Sequence, residues 1–266
     1  MRKLSMALLF ACVLAFLTTA TVPEVSAAQS TAERITQTGV LRVGLEGTYP
    51  PFNFLDNNGN LVGFDVDMSI EIARRLGVRA EFVQGLWTSL IERLRKDEFD
   101  VIIAQMSVTE ERLELVDFTD PYATSGTMLV ARAGDDRFTQ LNDIAGHIVG
   151  VGQGTTFETL AHSVDGADVR VYDDFEAYSQ ALIAGDVDVI IEDELTAAYN
   201  IKEHGLPLQI TYPAVAEQSV AIAVKKGNAD FIDELNRILA EIKADGKYRT
   251  IHMKWFGSLH APRDLP

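Results

Sequence analysis

The chain has 266 residues, of which 39 are acidic and 23 are basic, so its formal net charge at pH 7 is −16. A charge of that sign repels nucleic acid and anionic lipid, so neither is an expected partner. Cys12 is the only cysteine and lies in an N-terminal apolar run, so the rest of the chain has no disulfide, no thiol nucleophile and no cysteine ligand for a metal.

The N-terminus has the pattern of a secretory signal peptide. Two basic residues precede an apolar run over 6–17, and the small residues of 25–28 suit cleavage after Ala27 or Ala28. The run is shorter than the roughly 20 residues that a membrane-spanning helix needs. We therefore predict a signal peptide over 1–28 and a periplasmic protein without stable membrane insertion. The segment before Cys12 faintly resembles a lipoprotein cleavage site, but the apolar run continues past it, so no lipid is expected.

Strands and helices alternate along the remaining chain. Apolar strands over 40–43 and 147–151 open two halves, and each is followed by a turn that contains glycine. In both halves a short helix then leads to a continuous apolar strand, over 89–103 and over 180–191. Such strands are typical of parallel sheets covered on both faces. The pattern predicts an α/β fold with two similar sheets, although spacing alone would also allow one continuous sheet.

The loop after the first strand, 44–52, contains two prolines that stiffen it at the strand's carboxyl end. We expect Glu46 and Tyr49 to face a cleft and Phe52 to pack in the core. The next helix opens with 63–67, and Asp65 is predicted to be its N-cap.

The segment 100–112 reads as a buried strand that runs into the first turn of a helix. Ser107 and Thr109 are N-cap signals ahead of two glutamates, and Arg112 follows them. Open α/β sheets bind ligands at this end of their strands, and a guanidinium can hold a carboxylate with two hydrogen bonds. The alternative is a surface helix whose arginine pairs with its own glutamates.

The residues MSVTEER at 106–112 and VDFTDPY at 116–122 resemble the signature of the family 3 extracellular solute-binding proteins, which deliver polar amino acids to ABC importers. The resemblance extends over about 39–257. It implies a two-lobed periplasmic binding protein, or Venus flytrap, with two mixed or parallel sheets joined by a two-stranded hinge.

The resemblance also implies the domain boundaries. Lobe 1 would comprise 29–124 and 219–266, and lobe 2 would comprise 125–218. Strand-like sequences at both crossings suit a two-stranded hinge better than a flexible tether. A final amphipathic helix from Ala229 to Gly246 would return to lobe 1.

The ligand-binding positions of the family fall on ten residues of this chain. They are Glu46, Tyr49, Trp87, Ala104, Gln105, Ser107, Arg112, Thr155, Thr156 and Asp193. The resemblance gives the ligand's carboxylate to Arg112 and to the two threonines, and its α-ammonium group to Asp193. Trp87 would cover the ligand side chain, with a core tryptophan as the rival interpretation.

Two further motifs have competing interpretations. The glycines of 150–158 suggest a nucleotide loop but fit neither the phosphate-loop nor the dinucleotide pattern. Thr155 and Glu158 instead predict a capping box. The three acids of 192–194 could suggest a metal site, yet the five histidines show no ligand spacing, so no metal or other cofactor is expected. Because successive side chains of a strand point to opposite faces, Glu192 is expected to point away from the cleft if Asp193 faces it.

We expect a freestanding, monomeric binding protein and not an enzyme. A dehydratase for arogenate or prephenate shares the fold, but its catalytic glutamate aligns with Thr196, whose hydroxyl is a poor general acid. A sensor ectodomain would need a membrane span or a further domain, and the chain ends shortly after Gly257. The expected partners are a free amino acid and the membrane subunits of an ABC importer.

Three ligand classes are ranked from the sequence. The segments 44–52, 150–155 and 171–174, together with Gln105, resemble the cystine-binding branch, which puts cystine-like amino acids first. A net negative cleft would attract arginine or lysine, which rank second. Glutamine ranks third.

Overall fold

The computed structural model describes residues 30–257, and the predicted signal peptide lies outside that range. The helices are α1 (Thr31–Thr38), α2 (Phe64–Arg75), α3 (Leu90–Arg95), α4 (Glu110–Leu113), α5 (Thr156–His162), α6 (Phe175–Ala184), α7 (Glu194–His204), α8 (Ala229–Ala244) and α9 (Lys247–Phe256). The strands are β1 (Val40–Leu45), β2 (Thr48–Tyr49), β3 (Asn53–Leu55), β4 (Leu61–Val62), β5 (Arg79–Gln84), β6 (Val101–Ile102), β7 (Val116–Phe118), β8 (Ala123–Arg132), β9 (Ile148–Gly152), β10 (Asp168–Tyr172), β11 (Val189–Asp193), β12 (Leu208–Val220) and β13 (Ala223–Lys225).

Lobe 1 is built on a mixed sheet with the strand order β5-β1-β6-β13-β7. Strand β1 pairs in parallel with β5 and β6, whereas β13 is antiparallel to β6 and β7. Apolar clusters cover both faces of this sheet, which explains why every residue of the run Val101–Ala104 is apolar. A small antiparallel sheet of β2, β3 and β4 forms the rim of the lobe.

Lobe 2 repeats the plan with the strand order β10-β9-β11-β8-β12. Strand β9 pairs in parallel with β10 and β11, and β8 runs antiparallel to β11 and β12. Two apolar clusters again lie on opposite faces of the sheet. The α/β fold with two mixed sheets, predicted from alternating elements and from the resemblance, is therefore confirmed.

Two long strands connect the lobes. Ala123–Thr127 of β8 pairs antiparallel with Ala216–Val220 of β12, beyond a bulge that separates this pairing from the rest of the lobe 2 sheet. The end of β12 is bonded to lobe 1, since Val108 N donates to Ser219 O at 2.9 Å. The second strand-like crossing sequence, 219–224, is interrupted at Ala221 and Ile222, because β12 pairs within the hinge whereas β13 enters the lobe 1 sheet. The lobe boundaries proposed above stay predictions.

The last long helix, α8, packs against α2 of lobe 1 as expected. Its apolar face of Phe231, Leu235, Ile238, Leu239 and Ile242 is buried in the lobe 1 core. Within residues 30–257, no helix is both long and apolar enough to cross a lipid bilayer.

Candidate functional site

A cavity between the lobes has an empty volume of about 650 Å³, including space open to solvent. The carboxyl ends of β1, β5 and β6 in lobe 1 face those of β9, β10 and β11 in lobe 2, the edges at which parallel sheets bind ligands. All ten sequence-predicted site residues line this interlobe cavity. Nine others join them: Gly152, Gln153, Phe157, Asp173, Asp174, Phe175, Tyr178, Gln218 and Val220.

Arg112 is held at the cavity wall by contacts from both lobes. Thr109 caps α4, which confirms the helix start ahead of the arginine. The guanidinium donates from Nη1 to the carbonyl of Ser107 at 2.9 Å and from Nη2 to the carbonyl of Gly154 in lobe 2 at 3.2 Å. Arg112 is buried, whereas the surface-helix alternative requires an exposed arginine, so that alternative is wrong. Burial lowers its pKa to about 10, which leaves it cationic at neutral pH.

Trp87 covers one side of this cation. Its ring centroid lies 5.1 Å from the guanidinium carbon of Arg112, a distance at which the ring's electron-rich face attracts a cation. Its Nε1 donates to Gly154 O at 3.0 Å, so the indole also bridges the lobes. The side chain is partly exposed and lines the cavity, whereas a core tryptophan, the rival interpretation, would be fully buried.

Asp65 is not the N-cap predicted from sequence. The N-cap of α2 is Gly63, and Asp65 is the second residue of the helix, with no exposed surface. Its carboxylate accepts hydrogen bonds from Asn53 Nδ2 at 3.1 Å, Gln105 Nε2 at 2.8 Å and Tyr122 Oη at 2.9 Å. Burial raises the pKa of Asp65 to about 6, and these three donors oppose the rise.

Gln105 therefore enters the cavity wall from a fixed position. Its backbone has a φ of 53°, a left-handed conformation that only a minority of residues with a side chain adopt. The bonds to Asp65 and Tyr122 hold its side chain, and Tyr122 Oη also accepts from the Gln105 backbone N–H at 3.2 Å. The turn that ends β6 is thereby locked next to Ala104.

Thr155 caps α5, as predicted, because its hydroxyl accepts from the Glu158 N–H at 3.3 Å. The capping box also predicts a hydrogen bond from the Thr155 N–H to the Glu158 carboxylate, and this part of the prediction is wrong. The Glu158 carboxylate instead accepts from the N–H of the preceding residue, Gly154, at 2.6 Å. This bond holds the loop whose carbonyl receives Arg112 and Trp87.

Asp193 lies at the end of β11 and is also the N-cap of α7. Its Oδ1 accepts from the N–H groups of Leu195 at 2.8 Å and Thr196 at 3.1 Å. Burial raises its pKa to about 6, against the effect of these hydrogen bonds. The carboxylate thus has a structural role in lobe 2 in addition to its place in the cavity wall.

Glu192 does not line the interlobe cavity, although its two phenol partners, Tyr49 and Tyr178, do. It is fully buried, and its carboxylate accepts from Tyr49 Oη of lobe 1 at 2.6 Å and from Tyr178 Oη of lobe 2. Burial raises its pKa to about 7, although the two phenol donors oppose this. The carboxylate ties the loop of Tyr49 to lobe 2.

Glu46 lines the cavity in a strongly acidic environment. Burial raises its pKa to about 8, and Glu192, Asp174 and Asp65 raise it further by repulsion. Among the described residues that line the cavity, Arg112 is the one cation against several acids. The described part of the chain contains no group of three or more His, Cys, Asp or Glu side chains placed to hold a metal ion.

Residues 41–258 match the sequence model of the bacterial extracellular solute-binding proteins, family 3. The chain belongs to family 3 of the bacterial extracellular solute-binding proteins. It is 37% identical over 227 residues to the L-cystine-binding protein TcyJ of Escherichia coli (strain K12), covering 85% of each chain. Among solved structures, an ancestral arginine-binding protein bound to arginine has a TM-score of 0.79 and 40% identity, over 82% of this chain and 99% of that one. AncCDT-1, an ancestral amino acid-binding protein and precursor of cyclohexadienyl dehydratase, has a TM-score of 0.80 and 32% identity, over 85% and 100%.

Several of the residues that line the cavity were not predicted from the sequence. Asp174 belongs to a segment that the resemblance had singled out, and Gln218 lies within the predicted hinge crossing, so position alone could have suggested both. Tyr178 gave no such indication, because an aromatic residue within an apolar helix is ordinarily a core residue. It reaches the cavity because α6 packs against β9, with the Tyr178 ring beside Gly152 at the end of that strand.

Proposed function

We propose that this protein is the periplasmic substrate-binding component of an ABC importer for a polar L-amino acid. The observation that carries the proposal is that Arg112 of lobe 1 and Asp193 of lobe 2 line one cavity. The α-carboxylate would bind Arg112, and the α-ammonium group would bind Asp193. A ligand that pairs with both completes interactions that exist only when the lobes are closed, which is the differential affinity that ligand-driven closure requires.

A single copy of the chain supplies both halves of this site, so the protein is proposed to act as a monomer. Export would follow from the predicted signal peptide, with a mature chain that begins at Ala28 or Gln29 and has no lipid. Intact-mass measurement of the periplasmic protein tests this, and a lipid-modified Cys12 would contradict it.

Cystine-like amino acids are the first candidates for the ligand. The relationship to TcyJ supports this choice, as do the acidic residues around Glu46 in the cavity wall. A cystine molecule has a second α-ammonium group, which would lie near Glu46 and Asp174. Arginine or lysine is the second candidate, because a guanidinium or ammonium would meet the same carboxylates, and an arginine-binding protein is a close structural neighbour.

Binding, rather than catalysis, is the proposed activity. Thr196, at the position aligned with the dehydratase glutamate, is buried and does not line the interlobe cavity. A group that cannot reach the ligand cannot protonate a leaving hydroxyl.

A thermal-shift screen of the twenty amino acids with cystine and ornithine tests the function. A ligand present at 100 times its dissociation constant adds about 2.7 kcal/mol to the free energy of unfolding. We expect cystine to give the largest shift, followed by arginine, lysine or ornithine. A screen in which no amino acid stabilises the protein would contradict the proposal.

A further inference from the structure

Gln218 links three hydroxyl groups from its place on the hinge strand β12. Its Oε1 accepts hydrogen bonds from the hydroxyls of Ser107 and of Thr156, the latter at 2.7 Å, and its Nε2 donates to Thr127 Oγ1 at 3.0 Å. Ser107 belongs to lobe 1, whereas Thr156 belongs to lobe 2. One amide on the hinge therefore joins both lobes inside the interlobe cavity.

The direction of these hydrogen bonds limits what the hydroxyls can offer a ligand. A hydroxyl has one proton, and a carboxylate accepts hydrogen bonds but donates none. While Ser107 and Thr156 donate to Gln218, each presents only lone pairs to the cavity. Neither can then donate to a carboxylate beside Arg112.

A half-turn of the Gln218 amide reverses this polarity. Its NH₂ group has two protons, one for Ser107 and one for Thr156, and its oxygen then accepts from Thr127. The reversal needs no new partner, because all three contacts are hydroxyls that can serve as donor or acceptor. Both hydroxyl protons become available to the cavity.

We infer that Gln218 is a positioning residue that directs the hydroxyl protons of Ser107 and Thr156 onto the carboxylate of the bound amino acid. The inference rests on the proposed function, which places that carboxylate at Arg112. Since the two hydroxyls belong to different lobes, the amide can orient both only when the lobes are closed. Carboxylate recognition and closure are coupled through this one side chain.

The experiment is a mutant cycle with L-cystine and L-arginine as probes, measured by calorimetry. It compares Gln218→Met, the double variant Ser107→Ala with Thr156→Ala, and the triple variant. Losing the alignment of two hydrogen bonds to a charged group should weaken binding by roughly 10- to 100-fold in Gln218→Met. The triple variant should match the double variant within about threefold, because Gln218 acts through the two hydroxyls.

Two further variants separate this role from a general defect. Gln218→Glu keeps the shape but only accepts hydrogen bonds, so it should weaken binding more than Gln218→Met. Gln209→Met changes a glutamine at the other end of β12, which bonds to Gly134 N and Asp135 O, and should leave affinity unchanged. Melting temperatures of the ligand-free variants monitor folding.

Each outcome decides between the two proposals. If the wild type binds the probes and both Gln218→Met and Gln218→Glu bind them with the same affinity, the inference is overturned but the proposed function is not. The same holds if the affinity losses of Gln218→Met and of the double variant add fully in the triple variant. A wild type that binds neither these probes nor any amino acid in the thermal-shift screen would overturn the proposed function, and this inference with it.

Discussion

At the scale of single residues, we predict that Glu46 determines how ligand binding responds to pH. Its pKa of about 8 makes the carboxyl mostly neutral at pH 7 in the closed, ligand-free protein. A cationic ligand favours the carboxylate form and so expels the proton. Affinity for such a ligand, relative to affinity for a ligand with a neutral side chain, should therefore rise as the pH increases towards 8.

Calorimetry with L-arginine and L-glutamine tests this prediction, with buffers of different ionisation enthalpy to count released protons. In Glu46→Gln, arginine should lose affinity more than glutamine, because hydrogen bonds to a charged group contribute about 1.5–3 kcal/mol and neutral ones about 1. Glu81→Gln, which changes an exposed glutamate of β5, is the matched control. Equal losses for both ligands would remove Glu46 from this role.

The residue scale also marks the limit of prediction from sequence. The ten predicted residues were identified because the family resemblance names them, and the ends of β1, β5, β6, β9 and β11 bring them together. Asp65 could not be placed correctly in this way. Its partners Asn53, Gln105 and Tyr122 come from three separate segments, so its burial depends on tertiary packing that no local pattern contains.

At the scale of elements, Asp193 combines two roles that substitution can separate. Asp193→Ala removes the N-cap of α7, which should cost about 1 kcal/mol of stability in the ligand-free protein. Asp193→Asn keeps an oxygen for the Leu195 and Thr196 amides, so it should cost little stability while still losing the charge that pairs with an ammonium group.

Chemical denaturation of both ligand-free variants, followed by ligand titration, measures the two effects. Both variants should lose affinity, but only the alanine variant should lose stability. If the asparagine variant binds like the wild type, Asp193 is a helix cap and not a ligand contact.

Elements were the most predictable level of this structure. Apolar runs found β1, β6, β9 and β11 because a strand covered on both faces requires an apolar residue at nearly every position. The end of β12 was harder to predict, because one apolar run contains both the end of β12 and β13. The change of pairing partner, from β8 to the lobe 1 sheet, follows from the topology and not from the composition of the run.

At the scale of the whole molecule, closure should depend on pH even without ligand. Glu46, Glu192 and Asp193 have pKa values of about 8, 7 and 6 in the closed form, all raised chiefly by burial. Opening would return them towards their ordinary values of about 4. Because the closed form holds its protons more tightly, acidification from pH 8 to pH 5 should favour closure.

Small-angle scattering of the ligand-free protein should show a radius of gyration that decreases over this pH range. Glu192→Gln removes one titrating group but keeps a partner for Tyr49, so its response should be smaller. A radius that is constant from pH 5 to pH 8 would contradict this mechanism.

In the proposed function, ligand-driven closure depends on the ion pairs that the two lobes make with one molecule. Removing one partner of a buried charge pair costs about 2–5 kcal/mol, so Arg112→Ala should weaken binding by roughly 30- to several-thousand-fold. It also removes the bond from Arg112 to Gly154 across the cleft. At ligand concentrations that saturate the wild type, scattering should show no compaction of this variant.

Arg237→Ala, which removes exposed ion pairs on α8, is the control and should close normally. Normal binding by Arg112→Ala, or a melting temperature far below that of the ligand-free wild type, would make Arg112 a structural residue and refute the proposed orientation of the ligand.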